Sequence, residues 1–249
     1  LKLIVWSSIM LMDLESIVQF SKNCESNYFL LSPCRLTDKK KLQCFRFFPR
    51  AIPKVIEDYT SSINGFKVLN HGDFYTRNIF FKYKGNDLVD ALFVDFQNGV
   101  IGTPLIDLFY FLTTSVAVKV LATARDELVF AYHEALSTLL ESLGYKGYCP
   151  TLNELQVEIL RRSSMELYMG LTLAPYARIP EPRVITAVQP TLYKAEYLQQ
   201  LKNHGKIVLS HNKEFIQGQL KRFDAIGTLD YSGDEGRIRG IKTLFTAKT

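Results

Sequence analysis

Two short runs of apolar and aromatic residues predict the most informative structure in this chain. Ile79–Tyr83 and Ala91–Phe96 each have the length of a β-strand, and a cluster of turn-forming residues, Lys84–Asp87, separates them. Such a pattern is typical of a β-hairpin. We therefore predict an antiparallel pair of strands in the middle of the first half of the chain.

The register of this hairpin decides which polar side chains meet at its open end. If the turn is centred between residues 86 and 87, antiparallel pairing places Asn78 opposite Asp95. Asp73 lies five residues before Asn78, on the connection that enters the hairpin. The pattern thus gathers two carboxylates and one amide at one end of a short ribbon.

Helical periodicity and helix-start signals dominate the remaining chain, so the predicted fold class is α+β and mostly helical. Thr103 and Pro104 are a typical helix start, and Thr151 with Glu154 forms a capping-box pattern. The predicted helices cover Leu105–Val120, Arg125–Leu143, a long stretch from Thr151 toward Pro175, Leu192–Leu201 and Glu214–Ile226. The apolar face predicted for the second of them consists of Leu128, Tyr132, Leu136, Leu139 and Leu143.

The polar cluster has both a chemical and a structural interpretation. Carboxylate and amide oxygens suit Mg²⁺, which proteins bind through one or two carboxylates while substrate phosphates complete the coordination. A third group then remains free to handle a proton. Alternatively, Asp73 or Asn78 forms an Asx-turn or a cap, and Asp107 interacts with the dipole of the helix that Pro104 begins.

Composition excludes several function classes. The net charge is +5 over 249 residues, and the basic residues are spread along the chain, so a nucleic-acid partner is not predicted. The four cysteines, at positions 24, 34, 44 and 149, form no C-x-x-C pair, which favours reduced thiols and a cytoplasmic protein. The apolar run Leu1–Met12 is too short to span a bilayer, so no membrane partner is predicted either. Because the chain begins with Leu, we expect a fragment or a processed product.

The spacing of the polar residues resembles the catalytic segment of kinase folds. That segment has the form H-x-D-x-x-x-x-N, followed by a metal-binding Asp on the next hairpin. Here the corresponding residues are His71, Asp73, Asn78 and Asp95. The Gly after the His, and the string VDFQ around the second Asp, are similar to the aminoglycoside and choline kinase group rather than to protein kinases.

Within that group the chain is similar to the ecdysteroid kinase-like family, also called the CHK kinase-like domain family. The strings that carry this resemblance are VLNHGDFYTRNIFFKY, LFVDFQNGVIGTPLIDLFYFL, AYHEALSTLLESLGY and PTLNELQVEI. They lie in unbroken order between about Ala51 and Asp230. An ordered series of this kind is far more specific than one short motif.

The resemblance implies an ATP- and Mg²⁺-dependent small-molecule kinase that acts on the hydroxyl of a steroid or another lipophilic alcohol. By resemblance, the catalytic residues are Asp73, which accepts or orients the substrate proton, and His71, which braces the catalytic loop. Asn78 and Asp95 are the implied metal ligands and bind the ATP phosphates through Mg²⁺. Asp107 is expected to hydrogen-bond the catalytic loop from below.

The resemblance also implies a domain arrangement: residues 1–66 hold a hinge remnant and a helical segment, and residues 67–249 form the mostly helical large lobe of an aminoglycoside-phosphotransferase-like fold. Ile9–Leu14 is similar to the hinge strand of the family. No glycine precedes Gly65, so a phosphate-covering loop cannot be placed and the small lobe is predicted to be largely absent. We therefore predict little activity for the chain alone; the alternative is a non-catalytic pseudokinase or binding module.

Overall fold

The computed structural model describes residues 54–179 and 194–229. The chain divides into two compact units. The first, Lys54–Met169, is called the loop–hairpin unit below; the second, which includes the described residues from Gly170 onward, is called the C-terminal helical unit. The described residues combine small sheets with 60% helix, which confirms the mixed, mostly helical fold class.

The loop–hairpin unit contains short strands followed by helices. Its strands are β1 (Val68–Asn70), β2 (Ile79–Lys84), β3 (Asp87–Phe93) and β4 (Val100–Gly102). Its helices are a segment at residues 54–60, α1 (Leu105–Thr114), α2 (Val118–Thr123), α3 (Arg125–Ser142), α4 (Leu152–Arg161) and α5 (Ser163–Thr172), the last of which continues past the boundary of the unit.

The strands form two antiparallel ribbons, one nested inside the other in sequence. β1 pairs with β4, with Val68 opposite Gly102, and β2 pairs with β3, with Ile79 opposite Phe93. Residues 71–78 connect β1 to β2, and residues 94–99 connect β3 to β4. Both connections therefore join the same end of one ribbon to the same end of the other. This topology brings the two connections that carry the candidate site together.

The predicted hairpin is confirmed, but its predicted register was wrong by one residue. The turn lies at residues 85 and 86, and an irregularity between Lys82 and Tyr83 shifts the pairing within the ribbon. Continuing the pairing of Ile79 with Phe93 places Val94, rather than Asp95, opposite Asn78, and the Val94 amide donates to the Asn78 carbonyl at 3.0 Å.

Helix α1 is the buried centre of the unit. Its side chains Leu105, Ile106 and Phe109 are fully buried. The helix ends at Thr114 rather than continuing to Val120 as predicted. The cause lies in the residues that follow Leu112, which are rich in Thr, Ser and Val and have low helix propensity.

Helices α3 and α4 of the unit begin where the sequence predicted, but they do not both have the predicted length. The predicted capping box of Thr151 and Glu154 is present at the start of α4. The predicted long helix is broken at Arg162, where the guanidinium pairs with Glu158 and donates to the Ser61 hydroxyl at 3.0 Å. On α3 the predicted apolar face is only partly correct, because the side chains of Leu139 and Leu143 are exposed.

The C-terminal helical unit contains α6 (Ala174–Ala177) and α7 (Lys194–Ala225). One continuous helix replaces the two predicted after position 190. Within it, the amide of buried Asn212 donates to the carbonyl of Val208, one turn earlier, and to that of Pro175 on α6, both at 2.8 Å. The Arg178 guanidinium lies 4.0 Å from the centre of the Phe215 ring.

Several sequence interpretations lie outside the described residues. They are the similarity of Ile9–Leu14 to a hinge strand, the predicted reduced thiols Cys24, Cys34 and Cys44, and the predicted start of a helix at Leu192. Cys149 is described and is a free thiol.

Candidate active site

The loop that follows β1 is anchored to α1 by one carboxylate. Asp107, in the first turn of α1, accepts hydrogen bonds from the backbone amides of His71 at 2.5 Å and Gly72 at 2.9 Å. The predicted hydrogen bonding of Asp107 to this loop is thus confirmed. Burial raises the pKa of the Asp107 carboxyl, although the two amides and His71 act in the opposite direction.

The His71 side chain links the two connections of the nested ribbons. Its Nε2 donates to the Val94 carbonyl at 2.8 Å, since a carbonyl can only accept. In the neutral ring Nδ1 is then the acceptor, and the Asp73 amide donates to it at 3.4 Å. The ring also lies against Phe96, with centroids 4.5 Å apart. His71 is buried and fully occupied by these contacts, so its position is that of a brace.

Gly72 allows the same two connections to approach each other closely. Its φ is +81°, and a Cβ added to it would lie 2.1 Å from the Asn98 carbonyl oxygen. Only glycine adopts this conformation without strain and leaves room for that carbonyl. The loop before Asp73 is therefore packed directly against the turn that follows Asp95.

The carboxylate of Asp73 is held through both of its oxygens. The Tyr110 hydroxyl donates to Oδ1 at 2.6 Å, and Asn78 Nδ2 donates to Oδ2 at 3.0 Å. Asn78 Nδ2 also donates to the Asp73 backbone carbonyl at 2.9 Å. Asp73 and Asn78, predicted from the sequence to share one site, are in direct contact.

Asn78 is positioned by backbone as well as side-chain contacts. It ends a single 3₁₀ turn, Thr76–Asn78, and its amide donates to the Tyr75 carbonyl at 2.9 Å. The side chain is buried, and its NH₂ group faces Asp73. The amide oxygen Oδ1 is the atom that remains to accept a further partner, which is the chemistry expected of a cation ligand.

Asp95 lies at the same end of the hairpin but in a different environment. It follows Val94, which bonds both His71 and Asn78, and its side chain is exposed. Its backbone is left-handed, with φ 75° and ψ 48°. Such a conformation costs free energy for any residue except glycine, although Asp and Asn tolerate it best.

The charges of Asp73 and Asp95 both act on the hydroxyl of Tyr75. Burial raises the pKa of the Tyr75 hydroxyl, and the negative charges of Asp73 and Asp95 raise it further, whereas Arg77 lowers it. Within the described residues, Asp95 makes no hydrogen bond to Asp73 or Asn78.

The donor set fits Mg²⁺ better than a softer metal. In the described part of the chain no group of three or more His, Cys, Asp or Glu side chains could hold a metal ion. The predicted ligands, the Asp95 carboxylate and the Asn78 amide oxygen, are hard oxygens and too few for an all-protein site. Mg²⁺ tolerates this because waters and phosphates complete its coordination. The roles of Asp73, Asn78 and Asp95 stay predictions.

Sequence reasoning missed Tyr110, which touches the central carboxylate. The available signal was its position three residues after Asp107 on a predicted helix, which places both residues on one helical face.

Comparison with known proteins identifies a family. The sequence model of the ecdysteroid kinase-like family matches residues 10–145, more than half of the chain, and confirms the predicted resemblance. No curated protein and no solved structure matches. None of the helices in the described part of the chain has the length and apolar character that a bilayer crossing requires.

Proposed function

The chain belongs to the ecdysteroid kinase-like family, and on that premise we propose that it binds ATP with Mg²⁺ and transfers the γ-phosphoryl group to the hydroxyl of a small molecule. The family implies a kinase-like fold and ATP as the phosphoryl donor. The acceptor that we propose is a steroid or another lipophilic alcohol.

One observation carries the proposal: the Asp73 carboxylate is held in place by Asn78, on the connection that lies next to the one carrying Asp95. Asp73 and Asn78 are in hydrogen-bond contact, and Asp95 follows Val94, whose amide donates to the Asn78 carbonyl. Phosphoryl transfer requires a group that handles the acceptor proton and separate ligands for the metal that binds the phosphates. The arrangement supports this division of roles.

In the proposed reaction Asp73 orients the acceptor hydroxyl and takes up its proton as the oxygen attacks the γ-phosphorus. Among the described residues, each carboxylate oxygen of Asp73 accepts one hydrogen bond, which leaves lone pairs for the substrate hydroxyl. His71 and Asp107 do not touch the substrate in this scheme. They hold the backbone from which Asp73 projects.

The proposed metal ligands are Asn78 and Asp95. Mg²⁺, when bound, neutralises the negative charge of the phosphates and orients them for transfer. The exposed carboxylate of Asp95 can adapt to the complex of metal and nucleotide, whereas buried Asn78 is fixed by its bonds to Asp73. Substitution of Asp95 should therefore remove nucleotide binding that depends on the metal.

The experiment is calorimetric titration of the full chain with ATP, in the presence of Mg²⁺ and in EDTA. We expect binding that requires Mg²⁺ and that weakens at least about tenfold in Asp95→Ala, because a direct metal ligand is lost. The matched control is Asp87→Ala, which removes an exposed aspartate at the turn end of the same strand and should leave affinity unchanged. Equal weakening in both variants would refute the assignment of Asp95.

The second candidate function is a non-catalytic binding module derived from the same fold. The observation in its favour is that no glycine occurs before Gly65, so a glycine-rich loop over the phosphates cannot be placed in that part of the sequence. For the same reason we propose that turnover by the chain alone is low. A radiolabelled γ-phosphate transfer assay over a panel of steroids and lipophilic alcohols separates the two candidates: labelled product supports the kinase, and Mg²⁺-dependent ATP binding without product supports the binding module.

A further inference from the structure

We propose that Tyr110 is the positioning residue of this site: its hydroxyl fixes the side chain of Asp73 in the orientation needed to receive the acceptor hydroxyl. This inference rests on the proposed function, in which Asp73 handles the substrate proton. It assigns to Tyr110 no contact with substrate.

The first step of the argument is the geometry of the carboxylate. An aspartate side chain has two rotatable bonds, and one hydrogen bond leaves rotation about the axis of that bond. Here Tyr110 holds Oδ1 at 2.6 Å while Asn78 holds Oδ2 at 3.0 Å. Two donors on two different oxygens define the plane of the carboxylate, and therefore the direction of its remaining lone pairs.

The second step concerns the helix from which Tyr110 projects. Asp107 and Tyr110 are three residues apart on α1, so both face the loop. Asp107 binds the backbone amides of His71 and Gly72, and Tyr110 binds the side chain of Asp73. One helix thus fixes the backbone of the loop and, one turn later, the orientation of its functional group.

The third step is that Tyr110 is itself rigid. Its side chain is only 7% exposed, and its ring lies edge-on to that of Tyr75, with centroids 6.1 Å apart. Its backbone carbonyl accepts a hydrogen bond from the Thr114 hydroxyl at 2.6 Å. Burial, and then the hydrogen bond to Asp73, raise the pKa of the Tyr110 hydroxyl, so it remains a donor.

The test measures the orientation of Asp73 directly, in the full chain and without reference to activity. Three-bond couplings from the Asp73 carboxyl carbon to its backbone nitrogen and carbonyl carbon, recorded by NMR on labelled protein, report whether the side chain occupies one rotamer. We expect a single rotamer in the wild type and averaged couplings in Tyr110→Phe, which removes only the hydroxyl. A single rotamer in Tyr110→Phe would overturn the proposal.

A matched control separates positioning from general loosening of α1. Thr114→Val removes another buried hydroxyl from the same helix, one that bonds the Tyr110 carbonyl but does not touch Asp73. We expect the couplings of Asp73 in Thr114→Val to match those of the wild type. Averaging in both variants would show that Tyr110 acts only through the stability of the helix, and would also overturn the proposal.

Nucleotide binding distinguishes failure of this inference from failure of the proposed function. Because Tyr110 holds the proton-handling group and not the metal ligands, Tyr110→Phe should bind ATP with Mg²⁺ within about twofold of the wild type. In the transfer assay its kcat should fall roughly 10- to 100-fold with little change in KM for ATP. If the wild type shows neither nucleotide binding nor phosphoryl transfer, the proposed kinase function is refuted. The NMR couplings of Asp73 still decide whether Tyr110 fixes its side chain.

Discussion

The loop at residues 71–78 and the hairpin β2–β3 are consecutive in the chain but differ in how firmly they are held. In the loop, His71 and Asn78 are buried and Asp73 is held through both carboxylate oxygens. In the hairpin every residue of β3 is exposed, and so is every residue of β2 after Ile79. The carboxylate that we propose to handle the proton thus lies on the more firmly held region, and the proposed metal ligand Asp95 follows the exposed hairpin.

The difference indicates how the two halves of the site are built. In the proposed reaction Asp73 needs a fixed direction, because proton transfer depends on a short contact of defined geometry. Asp95 sits at the exposed end of the hairpin, where its carboxylate can adapt to a metal ion and a flexible nucleotide. Substitutions in the loop should therefore lower stability far more than substitutions in the hairpin.

The largest effect is expected at Gly72, where the loop meets the returning connection. Gly72→Ala should lower the free energy of unfolding by roughly 3–4 kcal/mol, because it adds strain at positive φ and a methyl group at the Asn98 carbonyl. Urea denaturation followed by circular dichroism measures the change.

The control for this prediction is a second glycine with the same strain but open space. Gly85, in the hairpin turn, has φ +64°, and an added Cβ there meets nothing within 4 Å. Gly85→Ala should cost about 1 kcal/mol, from strain alone. Comparable losses in the two variants would mean that the contact with Asn98 does not hold the loop.

A smaller loss is expected from Asp107→Asn, which keeps the shape of the side chain and removes its charge. One of the two carboxylate acceptors becomes an NH₂ group that faces the amide of His71 or Gly72. We expect a loss of about 2 kcal/mol at neutral pH, because the NH₂ group leaves one of these backbone amides without an acceptor. A variant as stable as the wild type in urea would show that α1 does not anchor the loop through this carboxylate.

The pH dependence of the same pair of proteins tests the electrostatics of Asp107. Burial raises its pKa above the ordinary value of 3.8, against the opposing effects of His71 and Gly72 and with a further increase from Asp73. The carboxyl of Asp107 therefore binds its proton more tightly in the folded state than in the unfolded state. As a result, the stability advantage of the wild type over Asp107→Asn is greatest below pH 3.8. It should decline as pH rises through the raised pKa. An advantage that increases with pH would mean that the amide hydrogen bonds outweigh burial.

The sequence predicted the hairpin and the meeting of Asp73 with Asn78, because strand length and turn chemistry are local properties. It did not predict the register. The turn lies one residue earlier than predicted, which alone would place Phe93 opposite Asn78, and the irregularity between Lys82 and Tyr83 then moves the partner to Val94. The cluster of turn-forming residues, Lys84–Asp87, does not specify which two of its members form the turn. Asp95 therefore occupies the left-handed position after the strand pair rather than a place opposite Asn78.

The hydrogen bond from Tyr110 to Asp73 could not be derived from the sequence for a different reason. It joins residues 37 positions apart, and a tyrosine in an apolar helix has the same pattern whether its hydroxyl is bonded or not. By contrast, the bonds of Asp107 were predictable once the resemblance was recognised, because the family places an aspartate at the start of that helix.

The smallest effect is expected on the exposed face of the hairpin. Phe80 is 63% exposed and pairs across the ribbon with Leu92, which is 64% exposed. Phe80→Ser should lower the free energy of unfolding by less than about 1 kcal/mol, because little apolar surface returns to water. Phe109→Ala, at a fully buried position of α1, should cost about 3–5 kcal/mol in the same urea titration. If Phe80→Ser cost as much as Phe109→Ala, the hairpin would have to be packed against other parts of the protein in solution, and the contrast between a rigid loop and an exposed hairpin would fail.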